Sequence, residues 1–132
     1  MERSDKKTIL VVDDNKDAAY TVGMFLELKG YKVHTRFSGK EALEAVETLH
    51  PDLVILDLAM PEMDGYETAT LIRASQGTTL PLIALSGYSQ QEYKSMSSEA
   101  GFNTHLIKPV DFKVLIELLN SFLSDQPTGV SN

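Results

Sequence analysis

Three aspartates follow directly on apolar runs that are expected to form buried strands. The adjacent pair Asp13 and Asp14 closes the run 9–12, and Asp57 closes the run 53–56. Carboxylates are costly to bury, so these positions indicate the edge of a sheet rather than its interior. If the two runs lie side by side in a parallel sheet, their carboxyl ends meet at one edge, where such sheets bind ligands. The sequence therefore predicts a crevice that holds three acidic side chains.

An acidic crevice of this kind favours a hard cation. Carboxylates that lie so close together raise one another's pKa or recruit a positive ion. A set of oxygen ligands suits Mg²⁺. We therefore predict a Mg²⁺ site that includes Asp13, Asp14 and Asp57 and that could serve phosphoryl chemistry.

Five short aliphatic or β-branched runs supply the strands that must position these acids. The runs are 8–12, 32–35, 53–56, 81–85 and 105–107. Each run is followed by a segment long enough to form a helix. Strand and helix alternating five times predict an α/β fold, with a doubly wound parallel sheet covered by helices on both faces and joined by right-handed crossovers.

The helix starts carry recognisable capping residues. The first helix is predicted to begin near Asn15, and Asp111 is expected to cap the last one, in which Val114 belongs to the apolar stripe. Ser38 opens the second helix with a capping box, and Ser89 repeats that pattern in the fourth. The third helix is predicted over 66–75.

Composition limits the chain to one domain and excludes several function classes. Its 132 residues, 42% of them hydrophobic, fit a single core, predicted over 8–123 with flexible tails at 1–7 and 124–132. A formal net charge of −7 argues against direct nucleic-acid binding. Without cysteine, signal peptide or membrane-length apolar run, a cytoplasmic protein with no membrane insertion is expected.

Two further polar residues are expected at the same edge of the sheet. Ser86 follows the fourth run and Lys108 follows the fifth. These positions, the segment 57–65 (DLAMPEMDG) and the pair Lys108-Pro109 resemble the receiver domain of two-component response regulators over about residues 8–123. The resemblance implies a flavodoxin-like, CheY-like (β/α)5 sheet with strand order 2-1-3-4-5.

The resemblance also assigns a role to each of these residues. Asp57 would accept a phosphoryl group from a phosphohistidine of a histidine kinase or a histidine phosphotransfer protein, since a carboxylate is a usable nucleophile on phosphorus. Mg²⁺ would be held by Asp14, Asp57 and the carbonyl of Ala59, and by Asp13 through a water. Lys108 would contact the phosphoryl oxygens, and Ser86 would act as the trigger that changes binding of a downstream protein. The only catalysis implied is self-catalysed phosphorylation and dephosphorylation.

Other positions are interpreted through the same family. Gly65 and Pro109 are expected to shape the backbone, with a cis bond before Pro109 that aims the lysine. His105 stands where most members have Tyr or Phe, and a histidine there could also act as a switch that charges near neutral pH. Ala59 and Tyr88 would flank the phosphorylation pocket.

Two features concern relatives and partners. The segments 101–106 and 85–88 look most like receivers carried by hybrid histidine kinases. The partner is expected to dock on the first helix and on the loop after the last strand, around Ala18, Ala19, Val22 and Val110.

Two alternative functions use similar elements. A Mg²⁺-dependent phosphatase of the haloacid dehalogenase kind also has an aspartate nucleophile, but it places a second aspartate two residues later as general acid, where this chain has Ala59. A nucleotide-binding doubly wound domain would need a glycine-rich phosphate loop. Neither a G-x-G-x-x-G nor a Walker lysine motif is present in the sequence.

Overall fold

A five-stranded parallel sheet forms the centre of the molecule. The computed structural model describes residues 6–87 and 99–123. The strands are β1 (Thr8–Val12), β2 (Lys32–Arg36), β3 (Leu53–Asp57), β4 (Leu82–Ser86) and β5 (Thr104–Ile107). They pair in parallel in the order β2-β1-β3-β4-β5, which confirms the flavodoxin-like sheet that the resemblance implied.

Four helices with complete bounds lie within the described residues. They are α1 (Lys16–Leu28), α2 (Gly39–Leu49), α3 (Gly65–Gln76) and α4 (Phe112–Leu123). The helix predicted to start at Ser89 falls outside the described residues. None of the helices described in 6–87 and 99–123 has the length and hydropathy needed to span a bilayer.

The predicted caps are present, with one difference. The side chain of Asn15 accepts a hydrogen bond from Ala18 N at 3.0 Å, and that of Asp111 accepts one from Lys113 N at 3.0 Å. Ser38 caps α2 as expected. Its capping-box partner Glu41, however, accepts from the backbone N–H of Phe37 at 2.9 Å, one residue before the cap.

Two hydrophobic layers hold the sheet between the helices. Ile9 and Val11 of β1 belong to the layer under α1 and α4, while Leu10 and Val12 belong to the layer under α2 and α3. β1, β3 and β4 are buried along nearly their whole length, and each fully buried Leu or Ile side chain contributes roughly 1.5–3 kcal/mol. The central strands therefore form a rigid platform for whatever lies at their ends.

Val114 does not belong to the buried stripe of α4. It is 38% exposed, whereas Leu115 and Leu119 are buried against the sheet. Adjacent residues of a helix point about 100° apart, so Val114 falls on the flank once Leu115 faces the core. The prediction that Val114 belongs to the core stripe was wrong.

Candidate functional site

Three carboxylates converge at the C-terminal edge of the sheet. Asp13 follows β1 and Asp57 is the last residue of β3. One oxygen from each of Asp13, Asp14 and Asp57 lies within 4.8 Å of the others, which confirms the predicted convergence. Asp13 and Asp57 are 2% and 3% exposed, while Asp14 faces solvent. The cluster thus has two acids in the protein interior and one at the surface.

Lys108 bridges the two buried acids. Its Nζ lies 3.0 Å from Asp13 Oδ2 and 3.3 Å from Asp57 Oδ1. The lysine directly follows β5, where its backbone N–H donates to the carbonyl of Ser86 at 2.7 Å. The Lys108-Pro109 peptide bond is cis, as the resemblance implied. Residues from β1, β3 and β5 therefore meet in one ionic group.

The electrostatics of this group leave a net negative charge. Burial, and next the negative charge of Asp13, raise the pKa of Asp57 to about 6, against the opposing effect of Lys108 and of a hydrogen bond from Ala59 N. Burial alone would lower the pKa of Lys108, but its contacts with Asp13 and Asp57 raise it. Lys108 therefore stays charged, and one cation faces two buried acids and the exposed Asp14. Such a site favours a further cation.

Asp13 is held through both of its oxygens. Oδ2 accepts from Lys108 Nζ, and Oδ1 accepts from the backbone N–H of Asn15 at 3.0 Å. Asn15 also caps α1, so the start of that helix and the acid are fixed together. This role of Asn15 beside the acids was missed from the sequence, although its position after Asp13-Asp14 and its capping propensity were both visible.

Gly65 allows α3 to begin directly against the end of β3. A Cβ at this position would lie 2.5 Å from the carbonyl oxygen of Asp57 and 2.7 Å from Leu58 Cα. The N–H of Gly65 donates to the carbonyl of Leu58 at 3.0 Å, and Asp64 caps the helix by accepting from Glu67 N at 2.9 Å. Any larger residue would push the loop away from the phosphoacceptor candidate.

The remaining predicted site residues lie around the acids. Ser86 is buried at the end of β4, and its backbone pairs with β5. Ala59 is exposed, and its N–H lies 3.4 Å from Asp57 Oδ1. His105 is half-buried in β5 opposite Ala84, three residues before the lysine. Tyr88 lies outside the described residues.

A groove of about 570 Å³ opens beside the acids, between α1 and the segment after β5. Three of the residues of the expected docking surface, Ala18, Val22 and Val110, line it. Ala19 does not: it is fully buried in the layer under α1, because it lies about 100° around the helix from Ala18. Its inclusion in the docking surface was wrong. Phe112, which was not among the residues predicted from the sequence, also lines the groove.

The sequence of the whole domain agrees with this arrangement. Residues 9–120 match the model of the response regulator receiver domain family. The chain belongs to this family. The match decides against the haloacid dehalogenase and nucleotide-binding alternatives, and it confirms the family predicted from the motifs around Asp57 and Lys108.

The receiver domain has relatives of very different total length. It is 40% identical over 123 residues to an uncharacterised 14.6 kDa protein of Leptolyngbya boryana, covering 92% of this chain and 94% of that protein. It is 34% identical over 113 residues to the CAI-1 autoinducer sensor kinase/phosphatase CqsS of Vibrio cholerae, covering 84% of this chain but only 16% of CqsS. A sensor kinase among the relatives agrees with the expected likeness to kinase-borne receivers.

Solved structures show the same architecture. The chemotaxis protein CheY4 of Vibrio cholerae is 30% identical, with a TM-score of 0.84, over 89% of this chain and 99% of that one. The receiver domain is thus similar in fold to nearly the whole of one solved chain and in sequence to part of a much longer protein.

Proposed function

We propose that this receiver domain accepts a phosphoryl group on Asp57 from a phosphohistidine of a histidine kinase or a histidine phosphotransfer protein. The observation that carries the proposal is the ionic group of Asp13, Asp57 and Lys108, with Nζ 3.0 and 3.3 Å from the two acids. Phosphoryl transfer depends on positioning and charge neutralisation, and a nucleophile held beside a fixed cation supplies both. We place this exchange in the cytoplasm, as the cysteine-free composition predicts.

The chemical step requires only groups in the site and the donor. A carboxylate oxygen of Asp57 attacks phosphorus, the bond between phosphorus and the donor imidazole nitrogen breaks, and its electron pair leaves with that nitrogen. Lys108 neutralises charge on the phosphoryl oxygens as a compact cation. Ser86, at the end of β4, donates its hydroxyl to one of these oxygens once the acyl phosphate has formed. That contact is the proposed trigger for partner binding.

The donor set fits Mg²⁺, because all three acids offer oxygen atoms within 4.8 Å of one another. Asp14, Asp57 and the carbonyl of Ala59 are the proposed direct ligands. Asp13 is proposed to act through a water, and this is supported by the engagement of both its oxygens with Lys108 and Asn15. When bound, the ion supplies charge neutralisation for the acids and the incoming phosphoryl group.

We assign the receiver domain to residues 8–123, with 1–7 and 124–132 outside it. The groove beside the acids is the proposed docking site for the phosphohistidine protein, since its apolar residues Ala18, Val22 and Val110 adjoin Asp13 and Lys108. A downstream protein target is proposed to bind the phosphorylated form. Slow loss of the phosphoryl group to water is the remaining self-catalysed step, because the methyl group of Ala59 cannot position a water.

Acetyl phosphate with Mg²⁺ tests the acceptor directly. The wild type should gain the mass of one phosphoryl group in intact mass spectrometry, and Asp57→Asn should gain none. Asp52→Asn is the matched control. Asp52 lies at the N-terminal ends of the strands, away from the acids, where it accepts from Thr8 N at 2.7 Å. Unchanged labelling of Asp57→Asn, or no labelling of the wild type, would disprove the assignment.

A further inference from the structure

Arg73 connects α3 to the segments that lead into β4 and β5. Its guanidinium donates to the carbonyl of Gly101 through Nε at 3.0 Å and through Nη2 at 2.7 Å. Nη1 donates to the carbonyls of Gly77 at 3.1 Å and Leu80 at 2.6 Å. Nη2 also donates to Asn103 Oδ1 at 3.0 Å. One side chain thus joins the end of a helix to both strand entries.

Asn103 continues this connection into the sheet. Its Oδ1 also accepts from the backbone N–H of Leu82 at 2.8 Å, and its own N–H donates to the carbonyl of Leu82 at 2.8 Å. These two bonds extend the pairing of β4 and β5 by one residue at the N-terminal end. Gly101 lets the Arg73 side chain approach, since a Cβ there would lie 2.7 Å from Arg73 Cγ and 3.0 Å from its Nε.

The strand held in this way carries the cation of the site. β5 has four residues and lies at the edge of the sheet, where within residues 6–87 and 99–123 it pairs only with β4. Lys108 follows β5 directly, and Ser86 is the last residue of the neighbouring strand β4. A short edge strand has one set of ladder hydrogen bonds to fix its position. The start of β5 lies about 13 Å from Lys108, at 3.3 Å per residue. Arg73 adds a second attachment at this end of the strand.

We propose that Arg73 is a positioning residue for phosphoryl transfer, acting through β4 and β5 on Ser86 and Lys108. The proposal rests on the function assigned above to those two residues. The expected displacement is confined to part of the site. The three acids lie at the ends of β1 and β3, and Arg73 does not contact these strands through the hydrogen bonds described above. Loss of the guanidinium should therefore disturb the lysine and the serine while leaving the metal ligands in place.

Arg73→Lys tests this proposal while it keeps a positive charge on an aliphatic side chain. An ammonium group cannot reproduce the planar guanidinium, which donates to four acceptors. The matched control is Arg36→Lys on the opposite edge strand, where the guanidinium donates to the neighbouring carbonyl of Thr35 at 2.7 Å. Three quantities are measured on each protein: labelling rate with acetyl phosphate, Mg²⁺ affinity, and the backbone amide shifts of Ser86 and Lys108.

We expect Arg73→Lys to label roughly tenfold more slowly, since a misplacement of about 1 Å can slow a positioned reaction about a hundredfold and a smaller displacement is expected here. Its Mg²⁺ dissociation constant should stay within about twofold of the wild-type value, because the hydrogen bonds of Arg73 hold the entries of β4 and β5 and reach none of the proposed Mg²⁺ ligands. The amides of Ser86 and Lys108 should shift, and Arg36→Lys should change none of the three quantities. Arg73→Ala should show a larger effect of the same kind.

Two results would overturn the proposal. Wild-type labelling with unmoved Ser86 and Lys108 amides in Arg73→Lys would show that the contacts position nothing in the site. A parallel fall in labelling and Mg²⁺ affinity would show general loosening of the domain. If Arg73→Ala does not fold, Arg73→Lys decides. If the wild type itself is not labelled, the proposed function fails, and the amide shifts still decide whether Arg73 positions the two residues.

Discussion

Replacing Asp57 with Asn should stabilise the metal-free receiver domain at neutral pH. Burial and the charge of Asp13 raise the pKa of Asp57 from the ordinary value of 3.8 to about 6, so the folded state disfavours the ionised form. At 1.36 kcal/mol per pH unit, this interval corresponds to roughly 3 kcal/mol of unfolding free energy lost at pH 7. Asparagine has nearly the same shape and no charge, so it removes that cost.

Solvent in the crevice limits how much unfolding free energy Asp57→Asn can gain. Water at the exposed Asp14 screens part of the repulsion between the acids, so we expect roughly 1–2 kcal/mol rather than the full amount. In a domain of this length each kcal/mol raises the melting temperature by about 4 °C. Asp57→Asn should therefore melt roughly 4–8 °C above the wild type when both are measured in chelator at pH 7.

The pH dependence identifies the cause. Between pH 3.8 and about 6 the folded wild type binds more protons at Asp57 than the unfolded chain, so its stability falls as pH rises through this window. Below it both states are protonated, and above it both are ionised. The difference between Asp57→Asn and wild type should thus be near zero at the acid end, grow across the window and stay constant above it.

Magnesium should reverse the order of the two proteins. At one hundred times its dissociation constant a ligand adds about 2.7 kcal/mol to the folded state, and the variant lacks one of the proposed ligands. Melting curves in chelator and in Mg²⁺ at several pH values test this, with Asp52→Asn as a control. That variant replaces the charged acceptor of Thr8 N with a neutral amide oxygen, which is a weaker acceptor, and should melt lower. An Asp57→Asn protein that melts no higher than wild type in chelator at pH 7 would refute the reasoning.

Three other positions give smaller tests. His50→Gly should raise the unfolding free energy by about 1 kcal/mol in urea titrations, because His50 caps α2 in the left-handed region at φ 50°; no gain would mean that its side chain stabilises the fold. Ala59→Asn should speed loss of the phosphoryl label by orienting a water, and an unchanged rate would show that water placement is not limiting. Ala18→Arg should block transfer from a histidine phosphotransfer protein while sparing acetyl phosphate labelling; equal loss of both would indicate damage to the site.

Local sequence determined the elements and the members of the site. The runs that end at Asp13, Asp57 and Ser86 are apolar because strands covered by helices on both faces must be apolar, and this pattern is visible in one dimension. Polar residues at the ends of such runs must meet at one edge when the strands are parallel. The caps at Asn15 and Asp111 are equally local, since each side chain bonds a backbone N–H two or three residues away.

Tertiary structure decided which of these residues contact one another and how deeply each is buried. The pairing of Lys108 with Asp13 joins residues 95 positions apart, and burial, the largest cause of the raised pKa of Asp57, depends on how the chain packs around that residue. The orientation of α1 about its own axis could not be predicted from the sequence either. Ala18 and Ala19 are the same residue type, yet Ala18 lines the groove and Ala19 is buried. Arg73 resembles an ordinary helical arginine until the fold brings Gly101, 28 residues later, to its guanidinium. These properties depend on distances across the chain, which only packing establishes.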